Sequence, residues 1–347
     1  MAAPLRVGFL DDLTDGPPSP TDIEQWLRLV ADEYLAAGRL DREVEIVASF
    51  GLGLPAGTAA AVEHAFARLD AADALLVVGP AVGDNALVAT PLAERFHLPT
   101  INWAGTERAR GAWMFHLQVG SHEDEGAVLA QHLASLGASR VGVVHDRSPI
   151  GRRYLHYLTT EAELHGAVVT ATAGLTPLAE DATAQVARVL AAGPDALVYL
   201  GLGRTATPVA RAVATAGFGG PRLMNSAGMF GRQPEIGRAL EGWAYVDIYS
   251  DANTALAALR ERLEVPPARA AAAAKGYDLA RLAVEGLARA TELTRDGVRA
   301  GLELIKWLPA TEGHDGTQLG FGHRDRGALH GRYLVLRRWQ DGESVQV

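Results

Sequence analysis

Two stretches of this 347-residue chain concentrate groups that could meet a small molecule. Residues 74–107, ALLVVGPAVGDNALVATPLAERFHLPTINWAGTE, read as an apolar strand, a Gly79-Pro80 loop, a helix and a second strand ending at Asn102. Trp103, Ala104, Gly105 and Thr106 follow that second strand. Loops at the carboxyl ends of neighbouring strands are where an open α/β sheet binds ligands. The second stretch, Gly201-Leu202-Gly203-Arg204-Thr205-Ala206, matches the G-x-G-x-x-A dinucleotide fingerprint after a strand. That fingerprint needs an acid at the end of the next strand to hold a ribose. Here the next strand closes Leu223-Met224-Asn225, which argues against a nucleotide.

Other chemistries find less support. The eleven histidines are scattered, with no HExxH and no three-ligand spacing, so no metal is expected. The chain has no cysteine, which excludes thiolate nucleophiles, thiolate metal sites and disulfides. No GxSxG elbow is present. His145-Asp146 closes a strand and reads as a loop or hinge contact rather than a catalytic pair. The expectation is a protein that is not an enzyme and carries no cofactor.

Elements that would position these loops follow from hydrophobic patterning. Nearly continuous apolar runs (LLVV, VGVV, ALVYL) suit parallel strands covered on both faces. Strands are predicted at 5–10, 43–48, 74–79, 100–102, 140–145, 167–173, 196–200, 222–225 and 243–248. Helices fall between them, near 21–37, 58–70, 85–97, 122–136, 150–165, 180–192, 204–216 and 252–263. Thr21-Asp22-Ile23-Glu24 reads as a capping box, and Ser121 precedes an acidic first turn, Glu123-Asp124-Glu125. The βα alternation runs twice, over 5–117 and 119–247, and long helical segments and a hairpin-like tail follow. This predicts an α/β protein of two lobes, each a doubly wound parallel sheet of about five strands.

Net charge of −9 argues against a nucleic-acid partner and against an anionic membrane surface. No stretch approaches the ~18 apolar residues of a membrane span. The start, MAAPLRVGFL, lacks the charged and apolar regions of a signal peptide. The expectation is a cytoplasmic protein, or an extracytoplasmic one if this is a trimmed mature domain.

Over nearly its whole length the chain resembles the type I periplasmic binding proteins, the branched-chain amino acid and amide class of ABC transporter substrate-binding proteins. The resemblance rests on VVGP at 77–80 with Pro91, LPTINWAGT at 98–106, and residues 114–146 from MFHLQVGS to VVHD. It continues in PDALVYLGLG at 194–203 and the pair GYDLARLAVEGLARA and GVRAGLELI. It implies lobe one at 1–118 plus 250–325, lobe two at 119–249 plus 326–347, a three-strand hinge, and a ligand cleft that closes on a small solute.

In amino-acid binders of that family a Ser and a helix N-terminus after Gly-Pro hold the ligand carboxylate. This chain has Val82 and Gly83 at that place, with Asp84 and Asn85 beside them as ligand contacts or helix caps. The second loop offers Trp103 as a flat wall or a core residue, with Ala104, Gly105 and Thr106. Lobe two offers Ile150, where the family carries an aromatic, then Gly203, Arg204, Asn225, Ser226 and Met229. The family's ammonium-binding acid is missing there. Of Asp11, Asp12 and Asp15 after the first strand, Asp11 is the candidate and the others read as solvated or capping groups.

The resemblance implies non-catalytic binding of a small organic solute that is not a standard free amino acid. An amide-like, aromatic or amphipathic molecule fits better. Partners would be the solute and an ABC permease or a regulatory protein, with a homodimer left open. A cytoplasmic sensor on the same fold is one alternative. A two-domain enzyme using a nucleotide or nucleotide-sugar is another, and it predicts a titratable cluster with displaced pKa values.

Overall fold

A computed structural model describes residues 3–12, 22–50 and 59–347. The chain divides into two compact units, Met1–Val119 with Tyr249–Tyr333 and Gly120–Ile248 with Leu334–Val347. Residues 326–333 therefore fall in the first unit rather than with the tail. Ala328 N–H donates to His116 O (2.8 Å), and Gln118 Oε1 completes the tie by accepting from Leu329 N–H (2.9 Å).

Unit 1 is built on β1 (Leu5–Leu10), β2 (Val44–Ser49), β3 (Leu76–Val78), β4 (Thr100–Asn102) and β5 (Met114–His116). Their order is β2-β1-β3-β4-β5, all parallel. Unit 2 repeats the order with β6 (Arg140–Asp146), β7 (Val168–Leu175), β8 (Ala196–Leu200), β9 (Arg222–Met224) and β10 (Ala244–Asp247), arranged β7-β6-β8-β9-β10. A small antiparallel sheet of β11 (Leu308–Pro309), β12 (Gln318–Leu319) and β13 (Leu329–His330) belongs to unit 1. The tail strands β14 (Val335–Gln340) and β15 (Glu343–Gln346) extend the unit 2 sheet antiparallel to β10, giving seven strands where the sequence suggests about five.

In this strand order the connections leave in opposite directions from the first and third strands, β1 and β3 in one unit and β6 and β8 in the other. The crevice at that reversal is where the loops face a ligand in doubly wound sheets. Apolar runs fill both faces: in unit 1 Val7, Phe9, Leu76, Val78 and Ile101 are buried on one and Leu10, Val77 and Met114 on the other, and in unit 2 Val143, Val144, Leu197, Val198 and Tyr199 are buried.

Helices connect the strands: α1 (Asp22–Ala36), α2 (Ala59–Ala71) and α3 (Gly83–Phe96) in unit 1, and α4 (His122–Ser135), α5 (Pro149–Leu164), α6 (Thr183–Leu190), α7 (Ala206–Thr215) and α8 (Pro234–Ala239) in unit 2. Unit 1 is completed by α9 (Thr254–Arg262), α10 (Ala270–Arg289) and α11 (Arg295–Glu303). The Ser121 cap forms, its hydroxyl accepting from Asp124 N–H at 3.1 Å. Thr21 lies outside the described residues, so the capping box proposed there has no structural counterpart to report.

The long helix α10 lies against α1 at Gly276, where any Cβ would overlap the Trp26 ring. Gly276→Ala should therefore destabilise unit 1 by about 1–2 kcal/mol despite alanine's higher helix propensity. Urea unfolding checks this, and an unchanged or raised midpoint would show that the indole moves aside freely.

Candidate functional site

In unit 1 the loops after β1, β3 and β4 meet. Trp103 N–H donates to Pro80 O (3.2 Å), and a Cβ on Gly83 would lie 3.6 Å from Thr106 Cγ2. The two amides that lead into the helix after Gly79-Pro80 are already taken. The buried carboxylate of Asp12 accepts from Ala81 N–H (2.8 Å), Val82 N–H (2.8 Å) and Asn85 Nδ2 (3.0 Å). Burial raises the Asp12 pKa, opposed by those donors. Val82 is the N-cap by backbone geometry but supplies no side-chain cap, so Asp12 caps α3 from another strand. That corrects the reading of Asp84 or Asn85 as the cap: Asp84 is exposed, and Asn85 is buried and donates to Asp12.

Trp103 is 6% exposed and stacks on Phe9, ring centroids 6.3 Å apart. Of the two readings the sequence left, core packing is the one its surroundings match. Ala104 is held on both sides: its N–H donates to Asn102 Oδ1 (3.1 Å) and its carbonyl meets His116 Nε2 (2.7 Å). Arg110 Nε donates to His116 Nδ1 (3.1 Å), so Nε2 carries the ring hydrogen and donates to Ala104. Burial, and then Arg110, lower the His116 pKa to about 3, which keeps the ring neutral. Asn102 is spent on Ala109 O and Phe115 O (both 2.8 Å). Gly105 is half-buried with open space where a Cβ would stand, whereas Thr106 is buried. Asp11 is buried, and its N–H donates to Ser49 O (2.9 Å). Asp15 lies outside the described residues.

Unit 2 repeats the device. Asp146, fully buried at the end of β6, accepts from Thr205 Oγ1 (2.7 Å), Tyr199 OH (3.2 Å) and Leu202 N–H (2.8 Å). A Cβ on Gly201 would overlap the Asp146 carboxylate, and one on Gly203, whose φ is +95°, would overlap the Phe230 ring. Both glycines of the fingerprint-like stretch are thus required by local packing. A phosphate approaching the Leu202 amide would meet a carboxylate already bonded to it.

Asn225 is also turned inward, its amide donating to Gly201 O (3.0 Å) and accepting from Gly201 N–H (3.2 Å). This corrects its reading as a side chain aimed at a solute. Ile150 is half-buried in the first turn of α5, which Ser148 caps by accepting from Gly151 N–H (3.0 Å). Met229 is half-buried against the unit 2 core, and Arg204 is exposed.

The group missed in the sequence is Glu125. Its buried carboxylate accepts from Ser226 N–H (2.6 Å), Ser226 Oγ (3.1 Å), Tyr154 OH (2.9 Å) and Ser121 N–H (3.0 Å). Burial pushes its pKa up to about 7, opposed by these bonds. The signal was its position four and eight residues before Leu129 and Leu133, on the buried face of α4. An enzyme was expected to show titratable groups with displaced pKa values, and Glu125, Tyr154 and His122 are such groups. Glu125 and Tyr154 are, however, bonded to each other, and Glu125 also to Ser226 and the backbone, while His122 Nδ1 meets Arg153 Nη1 at 3.2 Å. Among the described residues no group of three His, Asp or Glu could hold a metal, and no helix is long and apolar enough to cross a membrane.

Comparison with known proteins agrees with this topology. A family model described as periplasmic binding protein matches residues 4–342. A type 1 periplasmic binding protein from Bordetella pertussis Tohama I superposes with a TM-score of 0.80 at 20% identity, covering 99% of this chain and 100% of that one. A leucine-binding protein from Thermotoga maritima gives 0.77 at 19%, with 99% and 97% covered. An R. palustris solute-binding protein in complex with 4-hydroxybenzoate gives 0.77 at 16%, with 99% and 96% covered. A search of curated proteins returns no match. With its family model matched almost end to end and the same parallel strand order in both units, the chain belongs to the periplasmic binding protein family and has the type I fold.

Proposed function

We propose that this protein binds a small organic solute without chemical change, and that the solute is an uncharged amide-like or aromatic molecule rather than a free amino acid. Each unit offers its own candidate contact loops, those after β1, β3 and β4 in unit 1 and those after β6, β8 and β9 in unit 2. An ABC permease is the partner this reading implies.

The observation that carries it is Asp12 on the Ala81 and Val82 amides. Free N–H groups at a helix start attract anions, but here a resident carboxylate already sits on the two amides that lead into the helix. A solute carboxylate at the same place would face like-charge repulsion in a buried setting. The similar proteins named for leucine and crystallised with 4-hydroxybenzoate accommodate acids. The filled amides here favour a different class.

A thermal-shift screen over amino acids, carboxamides, aromatic acids and purines tests this. A carboxamide at a hundred times its Kd should add about 2.7 kcal/mol of stability. Stabilisation confined to free amino acids or aromatic acids would overturn the uncharged-solute reading.

A further inference from the structure

We propose that Glu125 is a positioning residue for the solute-contacting loop at Ser226: while ionised it draws the Ser226 hydroxyl hydrogen inward, so the loop offers the solute lone pairs and selects N–H donors. This rests on the solute-binding reading above.

The geometry is a closed set. Glu125 Oε2 accepts from Ser226 N–H, and Oε1 accepts from Ser226 Oγ, Tyr154 OH and Ser121 N–H. Four donors converge on one buried carboxylate, whereas Ser226 itself is only half-buried. Gly120 lets this happen, because a Cβ there would overlap Glu125 Oε1. A hydroxyl has one hydrogen and two lone pairs. With the hydrogen committed to Glu125, what remains on Ser226 is an acceptor. A proton taken from solvent onto Oε1 reverses the bond. Glu125 then donates to Ser226 Oγ, whose own hydrogen is freed.

The proton is within reach near neutrality, since burial raises the Glu125 pKa to about 7. The titratable and charged groups around it are Tyr154 and Arg153 of α5 and His122 of α4. The His122 ring lies edge-on to Tyr154 with centroids 4.5 Å apart, and its Nδ1 is 3.2 Å from Arg153 Nη1. Burial and Arg153 lower the His122 pKa to about 4, so it stays neutral while Glu125 titrates. The loop after β9 brings Ser226 to the carboxylate, and the one charge of its 3-10 turn, Arg232, is paired with Asp247 of β10 (2.6 Å).

The test begins without solute, so its failure is separable from that of the screen above. The Ser226 amide proton is followed by NMR from pH 4.5 to 9. It should titrate with a midpoint near 7 in the wild type and lose that step in Glu125→Gln. Glu125→Asp should restore a step at a different midpoint. A flat profile, or a midpoint in the ordinary carboxylate range, overturns the proposal. The second arm compares benzamide with methyl benzoate at pH 8 by saturation-transfer NMR. Benzamide should bind at least tenfold more tightly, and the margin should vanish in Glu125→Gln and Ser226→Ala. No preference, or the reverse, overturns donor selection.

Discussion

Asp146→Ala should lower the stability of unit 2 by about 3–5 kcal/mol, because two buried hydroxyls and one part-buried amide lose their acceptor at once. Thr205 Oγ1, Tyr199 OH and Leu202 N–H all end on this carboxylate, which is fully buried. Tyr199 OH and Thr205 Oγ1 keep their mutual bond (2.8 Å), so one buried hydroxyl hydrogen and the Leu202 amide are left without an acceptor, and a methyl group offers nothing in exchange. Asp146→Asn keeps the shape and one acceptor, so roughly half of the loss should return. Native-state amide exchange on β6 and β8 measures this unit separately. A loss below about 1 kcal/mol for the alanine variant would mean that water replaces the carboxylate, and the brace would then be dispensable.

Asp12→Ala should cost about 2–4 kcal/mol in unit 1 and bring a gain of function. The cost is smaller because Ala81 and Val82 are half-buried and water can reach part of the exposed helix start. The gain follows from the same arithmetic: two amides and a helix dipole end are released. Acetate should then stabilise the variant more than the wild type, read as a larger rise in thermal midpoint across an acetate series. Equal responses in the two proteins would show that Asp12 is not what keeps anions out.

Much of this architecture was legible in the residues. Runs such as LLVV and ALVYL placed β3 and β8 because a buried parallel strand is apolar on both faces. The three-residue β5 was not separated from the crossover after it, as Met114–His116 is too short to show a period. The short helix α8 and the 3-10 turn at Ser226–Arg232 were missed for the same reason. The loops at the strand ends were placed, but the direction of their side chains was not. Asp12 and Asp146 each stand at the end of a first strand, and nothing local reveals that they bond to groups 69 or more and up to 59 residues away. Asn225 looked like a solute contact because it sits in the right loop, yet its amide closes on Gly201. Sequence position gives the loop, while the hydrogen-bond partner across the sheet decides whether a polar group faces in or out.

The closing strands bear on how the protein is made. β14 and β15 cover the edge of β10, and Trp339 of β14 is buried against Tyr245, with ring centroids 5.6 Å apart. β10 is synthesised about ninety residues before these strands, a delay of roughly 5–20 s at ordinary elongation rates. Throughout that interval the nascent chain carries an open, apolar sheet edge of the kind that pairs with other chains. Unit 2 is therefore completed only when its distant tail strands arrive, and the interval before they do is when it most needs a chaperone.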